Sequence, residues 1–185
     1  MKLLGLCGPA NVGKSTTARA IVRAYGAKGI KAASLAWAEP LYDAAEVLTG
    51  IPKEQLRSQD FKNKPMGMFA DVPCGLNTLT SRQFLEWLGT DIFRNKVSPS
   101  FWIDLGLVRA RKTGAAVVIF EDCRFDNEYE GVDHLIELSR AGIDYARNHA
   151  SAMPPDAKYV DSRITLDGRT PEEIAIAIRA SITQL

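Results

Sequence analysis

Gly8-Pro9-Ala10-Asn11-Val12-Gly13-Lys14-Ser15 decides how this chain is read. It fills every required position of the pattern G-x-x-x-x-G-K-[ST]. The run before it, Leu3-Leu4-Gly5-Leu6-Cys7, is apolar and strand-length. After it, Ala18, Ile21, Val22 and Tyr25 recur at i, i+3, i+4 and i+7, the spacing of one helix face. Strand, glycine loop and helix are the context this pattern needs. The glycines let successive backbone N–H groups turn inward as an anion nest, and the helix N-terminus adds positive potential. Asn11, Val12, Gly13, Lys14, Ser15 and Thr16 are therefore the candidate contacts to a nucleoside triphosphate. In this pattern the lysine supplies a point charge to the β- and γ-phosphates, and the serine offers a hydroxyl to Mg²⁺. ATP and Mg²⁺ are the expected cofactors.

Bulk composition narrows the rest. The 185 residues are 46% hydrophobic and 24% charged, enough for one soluble domain with a full core. Formal net charge is +1, from 23 basic and 22 acidic side chains, so no global field suits a nucleic acid. Cys7, Cys74 and Cys123 are too far apart for a C-x-x-C pair, and His134 and His149 complete no zinc pattern. Cys7 and Cys123 read as buried thiols beside strands. The first apolar run is too short for a signal peptide, and no stretch reaches membrane-spanning length. A cytoplasmic protein with no membrane partner is expected, and a homodimer is left open.

Strand candidates are Lys2–Cys7, Lys31–Ala36, Ala115–Phe120, His134–Leu138 and Arg163–Leu166. Helical patterns separate them. This alternation predicts a three-layer α/β/α domain over residues 1–185, with a five-stranded, mostly parallel sheet. Helix starts are signalled at Thr80-Ser81-Arg82-Gln83 and Thr170-Pro171-Glu172-Glu173, both capping boxes. A third is signalled at Ser98-Pro99, ahead of an apolar stripe of Phe101, Leu105 and Val108. Residues 50–80 and 139–162 fit the sheet poorly. They are read as an acceptor-side insertion and a lid, placed where ligands bind in open α/β sheets.

The loop alone leaves several classes open. A guanine-reading N-K-x-D and a D-x-x-G are both missing, which excludes an ordinary GTPase. Small size with two insertions favours a kinase of small molecules. The strand Val117–Phe120 runs into Glu121-Asp122, where either carboxylate can hold Mg²⁺ directly or through water. Asp122 is the choice for that role, with Ser15. Arg124 follows, within reach of phosphate oxygens.

Asp122-Cys123-Arg124-Phe125-Asp126-Asn127-Glu128 resembles the D-[VC]-R-F-x-N-E signature of bacteriophage-type deoxynucleoside monophosphate kinases. Further pieces follow in the family's order. Ala36-Trp37-Ala38-Glu39-Pro40-Leu41 is similar to its F-A-D-P-L-K segment. Thr80 through Asp91, then Arg94 and Trp102, is similar to its R-x-x-L-Q-x-x-G-T-[DE] region. Asp133-His134-Leu135-Ile136-Glu137 and Arg163-Ile164-Thr165-Leu166-Asp167-Gly168 are similar to its last two strands. Tyr42 stands where the family carries lysine, and Ser151-Ala152 where it carries Ser-Glu. The resemblance implies an adenylate-kinase-like P-loop kinase fold and transfer of the ATP γ-phosphoryl to a deoxynucleoside monophosphate, in the host cytoplasm if the chain is phage-encoded.

Roles follow from the chemistry of such a transfer. A phosphate monoester is already ionised near neutral pH, so no general base is required. The task is to hold two polyanions in line and screen their repulsion. Lys14, Arg124 and Asp122 are the candidate catalytic residues. Arg82 and Arg94 are candidates for the acceptor phosphate, or else part of a solvated helix face. Trp37, with Ala38 beside it, and Trp102 are candidates to stack on the acceptor base, or else to pack in the core. Asn127 and Glu128 can read base or sugar edges; equally, they can cap the segment that follows. Arg140 and Arg147 are candidate lid arginines. Two other readings stay open: a P-loop kinase of another small molecule, with Glu39 or Asp122 as base, and a non-enzymatic ATP-binding module.

Overall fold

The computed structural model describes residues 1–67, 78–146 and 153–183. The chain forms two compact units. One comprises Met1–Trp37 with Gly106–Leu185, the other Ala38–Leu105.

The first unit is built on five strands, β1 (Lys2–Cys7), β2 (Ala32–Leu35), β3 (Val117–Phe120), β4 (His134–Ser139) and β5 (Ser162–Thr165). Their order is β2-β3-β1-β4-β5 and every pairing is parallel. The apolar runs that signalled strands therefore became strands, with ends moved by a residue or two. Parallel neighbours demand crossovers, and helices supply them. Helices α1 (Lys14–Gly26) and α8 (Pro171–Thr183) cover one face, packing Ile21, Ile174 and Ile178 on Leu4, Leu6, Ile119, Ile136 and Leu138. Helix α8 opens on the expected capping box: Thr170 N–H donates to Glu173 Oε2 (2.8 Å), and Glu173 N–H donates to Thr170 Oγ1 (3.3 Å).

On the opposite face Trp37 stacks on Phe120, ring centroids 3.5 Å apart. Helix α6 (Phe101–Lys112) lays Gly106 against that indole; a Cβ there would stand 2.3 Å from Trp37. The short α7 (Asp126–Glu130) buries Tyr129 on the same side of the chain as Tyr159 of the 3₁₀ turn Ala157–Tyr159, their centroids 5.6 Å apart. Helices on both faces make this a three-layer α/β/α fold.

Helix α6 departs from expectation. It begins at Phe101 rather than beside Pro99, because Ser98 closes a turn: its Oγ accepts the Ser100 N–H (3.2 Å) and its carbonyl the Phe101 N–H (3.1 Å). Leu105 and Val108 are exposed, while Ile103 and Ala110 are buried. The small residues turn inward because only glycine fits against Trp37.

The second unit has its own core, Ala45, Leu56, Met66, Phe84, Leu85 and Leu88. It comprises α2 (Glu39–Thr49), α3 (Lys53–Arg57), α4 (Gln59–Lys62), α5 (Ser81–Glu86) and a π-helical stretch, Trp87–Val97. The Thr80 capping box is present. Residues 50–80 belong to this wider unit, apart from 68–77, which lie outside the described residues. Lys53 bridges Glu39 (3.0 Å) and Asp43 (2.7 Å); Arg57 pairs with Glu39 and lies over the Tyr42 ring. Burial works to raise the Glu39 carboxyl, but hydrogen bonds from Lys53 and Arg57 outweigh it and hold the group below the usual carboxylate range.

His134 gives the fold a pH dependence. It is buried where β4 begins, with Nε2 2.8 Å from Ser162 Oγ and Nδ1 without a hydrogen-bond partner. Burial lowers its pKa; Asp161, 3.9 Å away, raises it, and Lys2 lowers it further. Below its ordinary value of about 6.5 the unfolded chain takes up a proton that the folded one resists, so stability falls as pH drops. Urea midpoints are expected to fall between pH 7 and 5, and to fall less in His134→Gln. Equal slopes in the two proteins would remove His134 as the cause.

Candidate active site

All five strands point their carboxyl ends to one edge, and the phosphate-loop pattern sits there, after the central strand. The loop needs unusual backbone. Gly8, Asn11 and Gly13 have φ of 137°, 62° and 118°. Asparagine tolerates such a conformation better than most side chains. Gly8 is fixed twice over, since a Cβ would lie 2.5 Å from the Leu138 carbonyl oxygen. Helix α1 starts at Lys14 with no side-chain cap and no acid in its first turn. Its first intrahelical bond runs from Thr17 N–H to Gly13 O (2.9 Å). The N–H groups of the first turn thus face outward as donors for an anion.

Lys14 folds back over this loop. Its ammonium donates to the Gly8 and Pro9 carbonyls, both at 2.7 Å. Burial, and then the nearby Arg124 guanidinium, push its pKa down from 10.5 to about 8. Arg124 is exposed, in the loop after β3. A third cation closes in from the end of β4: Arg140 Nη2 lies 3.6 Å from where a Cβ on Gly13 would stand. Arg147 lies outside the described residues.

The acidic residues after β3 divide their work. Glu121 receives the Ser15 hydroxyl (3.1 Å) on Oε1 and the Ser34 hydroxyl (3.0 Å) on Oε2. Asp122 Oδ1 accepts the Trp37 backbone N–H at 2.7 Å. So the carboxylate on the loop serine is Glu121, and the one chosen from sequence for the metal is joined to backbone. Among the described residues no cluster of three His, Cys, Asp or Glu can hold a metal. One hydroxyl and one carboxylate, with phosphate oxygens and water completing the shell, is a donor set that suits Mg²⁺. The residues present fit that ion, and Ser15 and Glu121 are the side chains that would hold it.

Several residues chosen from sequence sit elsewhere than in a binding surface. Trp37 is 1% exposed, stacked on Phe120, with its indole N–H on Cys123 Sγ (3.3 Å). Trp102 is 4% exposed; its N–H donates to Gly89 O (2.9 Å), and Phe93 and Phe101 cover it. Both tryptophans pack in cores, with no ring face left for a base. Glu128 is also buried, and accepts the backbone N–H groups of Arg124 (2.7 Å) and Phe125 (3.2 Å). It is a cap, not a base reader. Asn127, next to it in α7, is half-buried. Ala38 precedes α2 and accepts the Tyr42 N–H through its carbonyl (3.1 Å). Arg82 is exposed, with Nε donating to Asn63 Oδ1 (3.3 Å), and Arg94 is half-buried in the π-helical stretch.

Ser34 is the residue that sequence reading missed. It lies one position before the end of β2, and only the pairing of β2 with β3 brings it to Glu121. Cys7 and Cys123 are buried thiols, as expected; burial is the main cause that pushes Cys7 up to about 12 and Cys123 well above its ordinary value. Cys74 lies outside the described residues.

No protein-family model and no curated protein matches the chain. Among solved structures, a cysteine-to-alanine mutant of the Mycobacterium tuberculosis APS kinase is similar over 98% of this chain and 96% of its own, at 17% identity and a TM-score of 0.46. The shikimate kinase of Aquifex aeolicus is similar over the same shares, at 12% identity and a TM-score of 0.45. The M. tuberculosis APS kinase in complex with AMPPNP and APS covers 98% and 97%, at 17% identity and a TM-score of 0.37. No helix among the described residues is long and apolar enough to cross a membrane.

Proposed function

We propose that this protein is a kinase that transfers the γ-phosphoryl group of Mg²⁺-bound ATP to the phosphate of a nucleoside monophosphate, a deoxynucleotide by preference. The observation that carries the phosphotransfer is Lys14. A half-buried ammonium beside a second cation, hydrogen-bonded to loop carbonyls, is costly for the free protein. It becomes favourable once a polyanion occupies the nest. Lys14 then exchanges the Gly8 and Pro9 carbonyls for phosphate oxygens, while Arg124 and Arg140 bring charge from other directions. Mg²⁺, held through Ser15 and Glu121, neutralises phosphate charge when bound.

The acceptor assignment has two supports. One is the ordered resemblance running from Ala36 to Gly168. The other is the state of the candidate bases. Transfer to a hydroxyl needs a carboxylate free to take a proton. Glu39 is held by Lys53 and Arg57, and Asp122 by the Trp37 peptide. A phosphate acceptor needs no such base. In this reading Arg82 and Arg94 meet the acceptor phosphate, residues 50–80 serve the acceptor, and 139–162 form the lid over ATP.

The test is ADP release with ATP and Mg²⁺, run over a panel of deoxy- and ribonucleoside monophosphates. Turnover is expected with at least one monophosphate, at a kcat of about 1–100 s⁻¹. Acceptor-independent ATP binding without turnover would leave a nucleotide-binding module instead.

A further inference from the structure

The loop from Glu121 to Phe125 is fastened residue by residue. Glu121 donates its N–H to Leu35 O (3.0 Å) and receives the hydroxyls of Ser15 and Ser34. Asp122 receives the Trp37 N–H. Cys123 donates its N–H to Leu6 O (3.1 Å), near the end of β1 ahead of the glycine loop, and receives the Trp37 indole N–H. Arg124 and Phe125 are fastened differently. Both of their N–H groups converge on a single oxygen, Glu128 Oε2. Glu128 is only 3% exposed. A buried carboxylate is expensive unless it is well hydrogen-bonded; Glu128 meets that need as the third residue of the five-residue α7, accepting the backbone N–H of Phe125, the residue that caps the helix.

We propose that Glu128 is a positioning residue: its buried carboxylate locks the Arg124 and Phe125 peptides and so fixes the point from which the exposed Arg124 side chain leaves the backbone, on the side of Lys14. The inference rests on the kinase reading for its catalytic consequence, but not for its geometry. With every other residue of the loop anchored, the direction in which Arg124 leaves the backbone depends on this one acceptor. Without it, the arginine keeps its charge and loses its fixed origin. A cation that must be ordered at each binding event contributes less than a preorganised one.

Arg124 and Glu128 should therefore behave as one unit. The experiment is a double-mutant cycle on the full chain, with ATP affinity measured by calorimetry in the presence of Mg²⁺. Arg124→Ala and Glu128→Ala are each expected to weaken ATP about tenfold, and the double variant no more than either single. Glu128→Gln, which keeps an acceptor oxygen for the two N–H groups, should stay within about threefold of the parent. Thermal melts of each variant show whether it is folded. A role confined to folding would lower the melting temperature and leave the two substitutions additive in affinity, and that result overturns the proposal. If Glu128→Ala proves unfolded, the cycle is run with Glu128→Asp, whose shorter side chain withdraws the carboxylate from both N–H groups, and additivity again overturns it. Where the parent turns over, kcat should follow the same non-additive pattern. Absence of turnover with every acceptor counts against the kinase reading alone, since the affinity cycle still decides the role of Glu128.

Discussion

Lys14→Met is expected to lower kcat/KM by at least 10³-fold, about 4 kcal/mol of transition-state stabilisation, and to leave the melting temperature of the free protein unchanged or higher. The two halves of this result have one cause. In the free protein the ammonium is half-buried near Arg124, and its pKa falls from 10.5 to about 8. That shift corresponds to roughly 3 kcal/mol of preference for the neutral form. At neutral pH the group is charged all the same, so the folded state carries the penalty. As pH rises above about 8 the folded protein releases a proton that the unfolded chain still holds, and this penalty is relieved. Methionine keeps the unbranched stem and removes the charge. It also leaves the Gly8 and Pro9 carbonyls to water, which limits the gain. Catalysis and nucleotide-induced stabilisation should both disappear. Steady-state kinetics with melting curves taken with and without ATP check this; activity within tenfold of the parent would place phosphate recognition outside the loop.

Gly8→Ala should be destructive in a different way. The added carbon meets the Leu138 carbonyl oxygen at 2.5 Å, and φ of 137° is a conformation that alanine resists. The obstacle is backbone on both sides, so no side-chain rotation relieves it. Relief requires β1 and β4 to part at their carboxyl ends or the loop to abandon its turn. A loss of about 3–5 kcal/mol is expected, within the range of severe backbone and overpacking effects. Any folded fraction should bind ATP poorly, because the N–H groups after residue 8 lose their direction. Chemical denaturation gives the first number and calorimetry the second. A stable variant with unaltered affinity would show that the loop is not built as described.

What could be read ahead of the structure was local. The strands and both capping boxes depend on residues close in sequence, and each is where its pattern places it. The phosphate loop is local too: eight residues carry its glycines, its lysine and its helix start. What escaped were choices made by distant neighbours. Nothing near Trp37 announces that Phe120 and Gly106 will enclose it, so an aromatic that could serve a base becomes core. Helix α6 rolls its small residues inward for the same contact, against the stripe of Phe101, Leu105 and Val108. The bond from Ser34, on a different strand, to Glu121 could not be read from the Glu121-Asp122 pair. Nothing in Trp87–Val97 announces a π-helical winding after α5. Its wider winding is accompanied by Gly89, which lets Leu41 approach to 2.8 Å of a would-be Cβ and offers its carbonyl to Trp102.

The sheet order also governs how the molecule comes into being. β1 lies in the middle, yet its two neighbours are encoded from Val117 and His134 onward. During synthesis the first strand must wait for more than a hundred further residues before either edge can be satisfied, and it has no hairpin to shelter it meanwhile. Such late, distant closure makes for slow assembly and a long interval of vulnerability to sticking. The Gly8–Ser15 loop is thus made before either of the strands that flank β1.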